Sequence, residues 1–219
     1  MSSRTKFLTA LGLVLVALLA WKLGVDWARA IRAERGEVAV TGFRSAHFGD
    51  TEDQVRAAIA RDFPGTDIQS SESPVEKTKL LVIRVKDILP DSGNAQAIYV
   101  LGYKSKTLMQ VNIFWGTQLT PGLTPRQLGI TAAVLQAHFA AQDFVPSTIT
   151  RDKKLPTGAV LVFAGKDSAG HLVRLLYQEA AAGSDQPHIG QAAEIAALRL
   201  SYIQDPKNPD IFKVEDGKF

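Results

Sequence analysis

The feature that most constrains this fold is a capped helix start followed by strand-like runs, and it occurs twice. At Thr51-Glu52-Asp53-Gln54 the threonine is placed to cap the first turn while Gln54 reaches back, a capping box, and Val55, Ile59 and Phe63 then share one face at i, i+4, i+8. At Thr124-Pro125-Arg126-Gln127 the spacing returns with proline at the first helical position, where its missing N–H costs nothing. Leu128, Ala132, Leu135 and Phe139 form the second apolar stripe. Acids in a first helical turn complement the helix dipole, so Asp50, Glu52 and Asp53 read as structural rather than catalytic.

Three strand-like runs follow each helix. The first set is 80–85, 98–103 and 108–115; in the last, Met109, Val111, Ile113 and Trp115 alternate with Gln110, Asn112 and Phe114. Lys104-Ser105-Lys106 makes the last two a hairpin. The second set is 160–163, 172–177 and 195–203, with Leu198, Leu200 and Tyr202 alternating against Arg199 and Ser201. Asp167-Ser168-Ala169-Gly170 stands where Asp91-Ser92-Gly93-Asn94 stands in the first set. Strands without intervening helices pair antiparallel, and one helix per three strands covers one sheet face. The expected class is α+β: an N-terminal transmembrane helix, then two tandem units of a helix plus a three-stranded antiparallel sheet. The units are assigned to 36–118 and 119–204, with an irregular tail over 205–219. Two similar stretches of one larger α+β domain are the alternative.

The membrane helix is expected from residues 1–35. Arg4 and Lys6 precede an apolar run from Phe7, and a helix to Val25 would be about 28 Å long, close to a bilayer's hydrocarbon core. Ala28-Arg29-Ala30 also offers the small-x-small exit of a cleavable signal peptide, but Trp21, Lys22, Asp26 and Trp27 make an unusually long, charged approach to it. The retained reading is taken, with Trp21, Lys22, Trp27, Arg29 and Arg32 at the membrane interface. It implies a single-pass inner-membrane protein with a periplasmic globular part; a strict count of flanking cations favours the cytoplasm instead.

Charge is partitioned. Residues 1–35 hold six Lys/Arg against Asp26 and Glu34, leaving nineteen Lys/Arg against twenty Asp/Glu, so the globular part is nearly neutral. A nucleic-acid binder should carry its excess positive charge on the folded domain, so nucleic acid is not an expected partner. The absence of cysteine excludes disulfides, thiolate nucleophiles and thiolate zinc sites.

The stretch from Phe48 through Gly49, Thr51 and Val55 to Ile59 resembles the Gly-x-Thr-x-x-x-Val opening of SmpA/OmlA-type envelope proteins. The doubled order of helix and antiparallel sheet is similar to the β-lactamase-inhibitory-protein architecture. These resemblances imply protein binding and no catalytic residues. Those small lipoproteins attach through a cysteine, which this chain lacks.

Chemistry-bearing patterns are sparse. His47, His138, His171 and His188 show no i, i+3 or i+4 metal spacing, and neither a nucleophile elbow nor a phosphate-cradling glycine loop occurs. The sequence therefore reads as non-enzymatic, with no cofactor. The expected function is a membrane-anchored accessory or assembly subunit that binds proteins of a membrane complex, with lipid as the other partner. The alternative is an exported, cleaved binding protein or enzyme inhibitor acting through an exposed sheet face. Expected partner contacts are Tyr103, Lys104, Lys106, Trp115, His188 and Ile189, and Phe212 in the proline-broken tail.

Overall fold

Both capping boxes form. In α1 (Glu52–Asp62) the Gln54 N–H donates to Thr51 Oγ1 over 3.5 Å and the Thr51 N–H to Gln54 Oε1 over 2.8 Å. In α2 (Pro125–Ala140) the corresponding bonds between Gln127 and Thr124 are 3.2 and 2.9 Å. The computed structural model describes residues 38–178 and 196–214. Val55, Ile59 and Phe63 are buried from the first helix, as are Leu128, Ala132, Leu135 and Phe139 from the second.

A short ribbon, β1 (Gly42–Phe43) and β2 (Ala46–His47), precedes the first helix. The other strands are β3 (Gln69–Glu72), β4 (Lys79–Lys86), β5 (Asn94–Leu101), β6 (Leu108–Gly116), β7 (Thr150–Lys154), β8 (Val160–Lys166), β9 (Leu172–Gln178) and β10 (Ala197–Ile203). They make one antiparallel sheet in the order β3-β4-β5-β6-β10-β9-β8-β7. The chain thus runs from edge to centre, crosses over through α2, and runs from the opposite edge to the centre.

This overturns the expected class of two tandem three-stranded α+β units behind a transmembrane helix. The described residues are mostly sheet with two α-helices, and the eight main strands are continuous because β6 and β10 pair from Gln110 with Ile203 to Gly116 with Ala197. The β1–β2 ribbon is additional to the six expected runs, and within this sheet the two strands outside those runs, β3 and β7, are the edges. Their sequences, Gln-Ser-Ser-Glu and Thr-Arg-Asp-Lys-Lys, contain no apolar residue to alternate. A polar, charged edge discourages pairing with other chains, and the same composition erases the period-2 signal.

The membrane assignment is also corrected. Among the described residues no helix is long and apolar enough to cross a membrane, and the span expected over 7–25 lies outside them. Single-pass, inner-membrane placement has no support in the structure, and no functional role is built on it.

The core lies between the sheet and the two helices. Phe63 after α1 stacks on Phe43 at 6.3 Å, Phe43 meets Tyr202 of β10 at 5.7 Å, and Tyr202 meets Phe139 of α2 at 6.4 Å. Phe139 continues to Phe163 of β8 at 5.6 Å. This aromatic chain spans both halves on one sheet face and fixes both helices there.

Tyr99 of β5 is fully buried in that core, and its hydroxyl has no hydrogen-bond partner among the described residues. Burial, reinforced by the Asp62 charge, pushes its pKa far above the ordinary tyrosine value. Removing an unsatisfied polar atom of this kind relieves a desolvation penalty, so Tyr99→Phe should raise stability by about 1 kcal/mol in urea unfolding. A loss of similar size would show that the hydroxyl is satisfied in solution.

Candidate functional site

Sheet register divides the side chains between two environments. Leu81, Tyr99, Ile113, Trp115, Leu198 and Leu200 lie on the face that carries the helices and are buried. The opposite, helix-free face has an unusual composition for a surface. One row across it runs Val82, Ile98, Asn112, Ser201, Arg174, Ala164. The next runs Arg84, Gln96, Phe114, Arg199, Leu176, Leu161, with Lys153 at the edge. Most of these are half-buried by their neighbours in the sheet, whereas Arg84 and Lys153 are exposed. Neither helix reaches this face, because both are held on the other side by the aromatic chain.

At its centre the polar groups are organised. The Ser201 hydroxyl donates to Asn112 Oδ1 over 2.8 Å, and Gln110 Nε2 donates to the same oxygen over 2.8 Å. Arg174 stands beside Ser201 in the ladder, and its buried Nε has no hydrogen-bond partner among the described residues. Arg199 lies over the Phe114 ring, its Cζ 5.9 Å from the centroid. Burial lowers the pKa of both guanidinium groups from the ordinary arginine value, and Arg199 also feels the Arg174 charge. Phe114 and Arg199 fall in the outward phase of their alternating strands, and Arg174 is the one cation in the apolar run of β9. Sequence reasoning recorded the alternation without seeing that the polar phases of β6, β9 and β10 meet.

The tail is latched rather than free over its described length. Asp210 accepts from the Ser105 N–H at 2.8 Å and the Lys104 N–H at 3.0 Å, while its own carbonyl accepts from the Tyr103 N–H at 2.8 Å. The Phe212 N–H then donates to the Glu76 carbonyl over 2.8 Å, and its ring packs edge-on against Tyr103 at 5.6 Å. Gly102 is required for this approach, since a Cβ there would lie 2.3 Å from Asp210 Oδ2.

The expected contact residues separate accordingly. Tyr103 and Phe212 face each other, with Lys106 Nζ 5.2 Å from the Tyr103 centroid, so these three form the tail latch with Lys104. Phe212 is still 41% exposed. Trp115 is 1% exposed, with its Nε1–H donating to Ser92 Oγ over 3.3 Å, and is unavailable to a partner. An alternating strand does not declare which phase faces the helices. Trp21, Lys22, Trp27, Arg29, Arg32, His188 and Ile189 lie outside the described residues.

Elsewhere, polar side chains organise turns. Asp167, 4% exposed, accepts from the Val40 and His171 N–H groups at 2.9 Å each, and His171 Nδ1 lies 3.1 Å from its Oδ2. His138 pairs with Gln142 at 2.8 Å. Glu52 binds Lys79 and Arg56, and with Lys79, Ser70, Ser71 and Thr107 it lines a 630 Å³ cleft. The Lys79 hydrogen bond holds its carboxyl below the usual range, against the effect of burial. Among the described residues no cluster of three or more His, Asp or Glu side chains is arranged to hold a metal. Comparison with protein-family models, curated proteins and solved structures finds no match to this chain.

The latch carries a pH dependence. Burial raises the Asp210 pKa, but the Ser105 and Lys104 hydrogen bonds outweigh it and lower the group on balance. A depressed carboxyl contributes stability that is complete above its unfolded pKa and lost as pH falls through the folded value. The Lys104 and Ser105 amides should therefore gain exchange protection as pH rises through that window, and Asp210→Ala should abolish the protection and cost about 1 kcal/mol. Protection unchanged in the variant would contradict the latch.

Proposed function

We propose that this chain is a non-catalytic protein-binding module whose docking surface is the helix-free face of the eight-stranded sheet. The observation that supports this reading is the make-up of that face. Interface centres combine aromatic and arginine anchors with apolar neighbours, and Phe114, Arg199, Leu176, Leu161 and Ile98 provide that combination on a rigid platform. A sheet locked by pairing on both sides of each central strand presents these side chains with little ordering entropy left to lose, which favours affinity. Inhibition of an enzyme by occlusion is one form such binding takes.

The test is a site-specific photo-crosslinker introduced at Ile98 or Leu176 on this face, and at Ala57 on the outer side of α1 as control, in cells producing the protein. Discrete protein adducts are expected from the face positions and not from Ala57. Phe114→Ala should weaken adduct formation at Leu176 by about tenfold or more, the size of a hot-spot loss. Adducts only at Ala57, or insensitive to Phe114→Ala, would overturn the proposal.

A further inference from the structure

The helix-free face has a one-sided charge. Arg84, Lys86, Lys153, Lys166, Arg174 and Arg199 occupy its ladder positions, and no Asp or Glu does. The nearby turn acids are already committed: Asp87 Oδ1 accepts from the Gly93 N–H and Asp205 Oδ1 from the Lys207 and Asn208 N–H groups, each at 3.0 Å. On the opposite face the lysine of β4, Lys79, does have its acid, Glu52.

We infer that the partner of this face is an acidic protein segment that places carboxylates on Arg174 and Arg199, with apolar side chains of its own against Phe114 and Leu176. The inference rests on the proposed docking face and names the chemistry that face selects. Arg174 and Arg199 are desolvated like-charged groups on adjacent strands, and among the described residues neither has a carboxylate within ion-pair distance. The buried Nε of Arg174, without a hydrogen-bond partner among the described residues, is the second mark of an incomplete site. A guanidinium offers a planar fork of donors that a carboxylate fills bidentately, and such pairs gain most where water is already excluded. Both guanidinium groups are already half-buried in the free protein, so an incoming carboxylate meets a reduced desolvation penalty on the arginine side.

Other occupants fit less well. A second copy docked face to face would oppose cation to cation. A nucleic acid requires exposed cations tracking its phosphates, whereas here the two central arginines share the face with Phe114, Leu176 and Leu161, whose apolar surface a phosphate backbone would leave unmatched.

Selection of a random dodecapeptide library displayed on phage against the full chain tests this directly. The wild type should enrich sequences pairing Asp or Glu with apolar residues. Those peptides should bind Arg174→Gln and Arg199→Gln at least about tenfold more weakly, and Phe114→Ala more weakly as well. Thermal unfolding supplies a readout that a merely structural role would not give: Arg174→Met should raise Tm, or leave it unchanged, while losing the peptides. Peptides without acids that depend on Phe114 but bind the arginine variants normally would overturn the carboxylate inference and leave the docking face standing. Peptides indifferent to Phe114→Ala would remove the docking face itself. Tighter, arginine-dependent binding of an oligo-dT strand would replace the acidic protein with a nucleic acid.

Discussion

The structure depends on the pairing of β6 with β10. Each is the last strand of its half, and neither half would be more than a four-stranded sheet without the other. At the middle of the seam Ile113 lies opposite Leu200, 0% and 2% exposed, under the aromatic chain that joins Phe63, Phe43, Tyr202 and Phe139. Truncating either aliphatic side chain to alanine falls in the range of about 2–5 kcal/mol for such core positions, a large share of a domain's net stability. Because Tyr202 belongs to β10 yet packs against Phe43 from the first half, the seam joins the core as well as the sheet.

The same pairing creates the functional surface. Phe114 and Asn112 come from one half, Arg199, Ser201 and Arg174 from the other, and only the seam brings them into adjacent rows. The Ser201–Asn112 hydrogen bond crosses that join. A face built across a seam has a composition neither half displays alone, and a globular part with nearly balanced charge thereby presents a strip whose charged ladder residues are all cations. Acids such as Glu52, Asp167 and Asp210 sit in a helix start, a turn and the tail latch, where they satisfy lysine or backbone donors.

Local features were legible in the sequence. Capping boxes at Thr51 and Thr124 need only four residues, and the apolar stripes after them need only helical periodicity. Six strand runs were visible because they alternate or are densely apolar. The edge strands were not, since Gln69–Glu72 and Thr150–Lys154 are polar throughout, and a strand's edge position is a property of the sheet. The continuity of the sheet was equally hidden, because Leu198, Leu200 and Tyr202 would alternate in the same way on an outer strand. Trp115 reads as a contact residue in the sequence because its phase relative to the helices is set by packing. Arg174 and Arg199 escaped notice for the complementary reason: each looks like an ordinary outward residue until the register sets them in neighbouring rows.

Amide hydrogen exchange across β6 and β10 is the most direct measurement of this account. One continuous sheet predicts that the amides of both strands exchange only through global unfolding, with a common free energy equal to that from denaturant melts. Protection of β4 to β6 that survives conditions in which β8 to β10 exchange freely, or the reverse, would mean two separately folding halves. The composite face would then have no permanent existence.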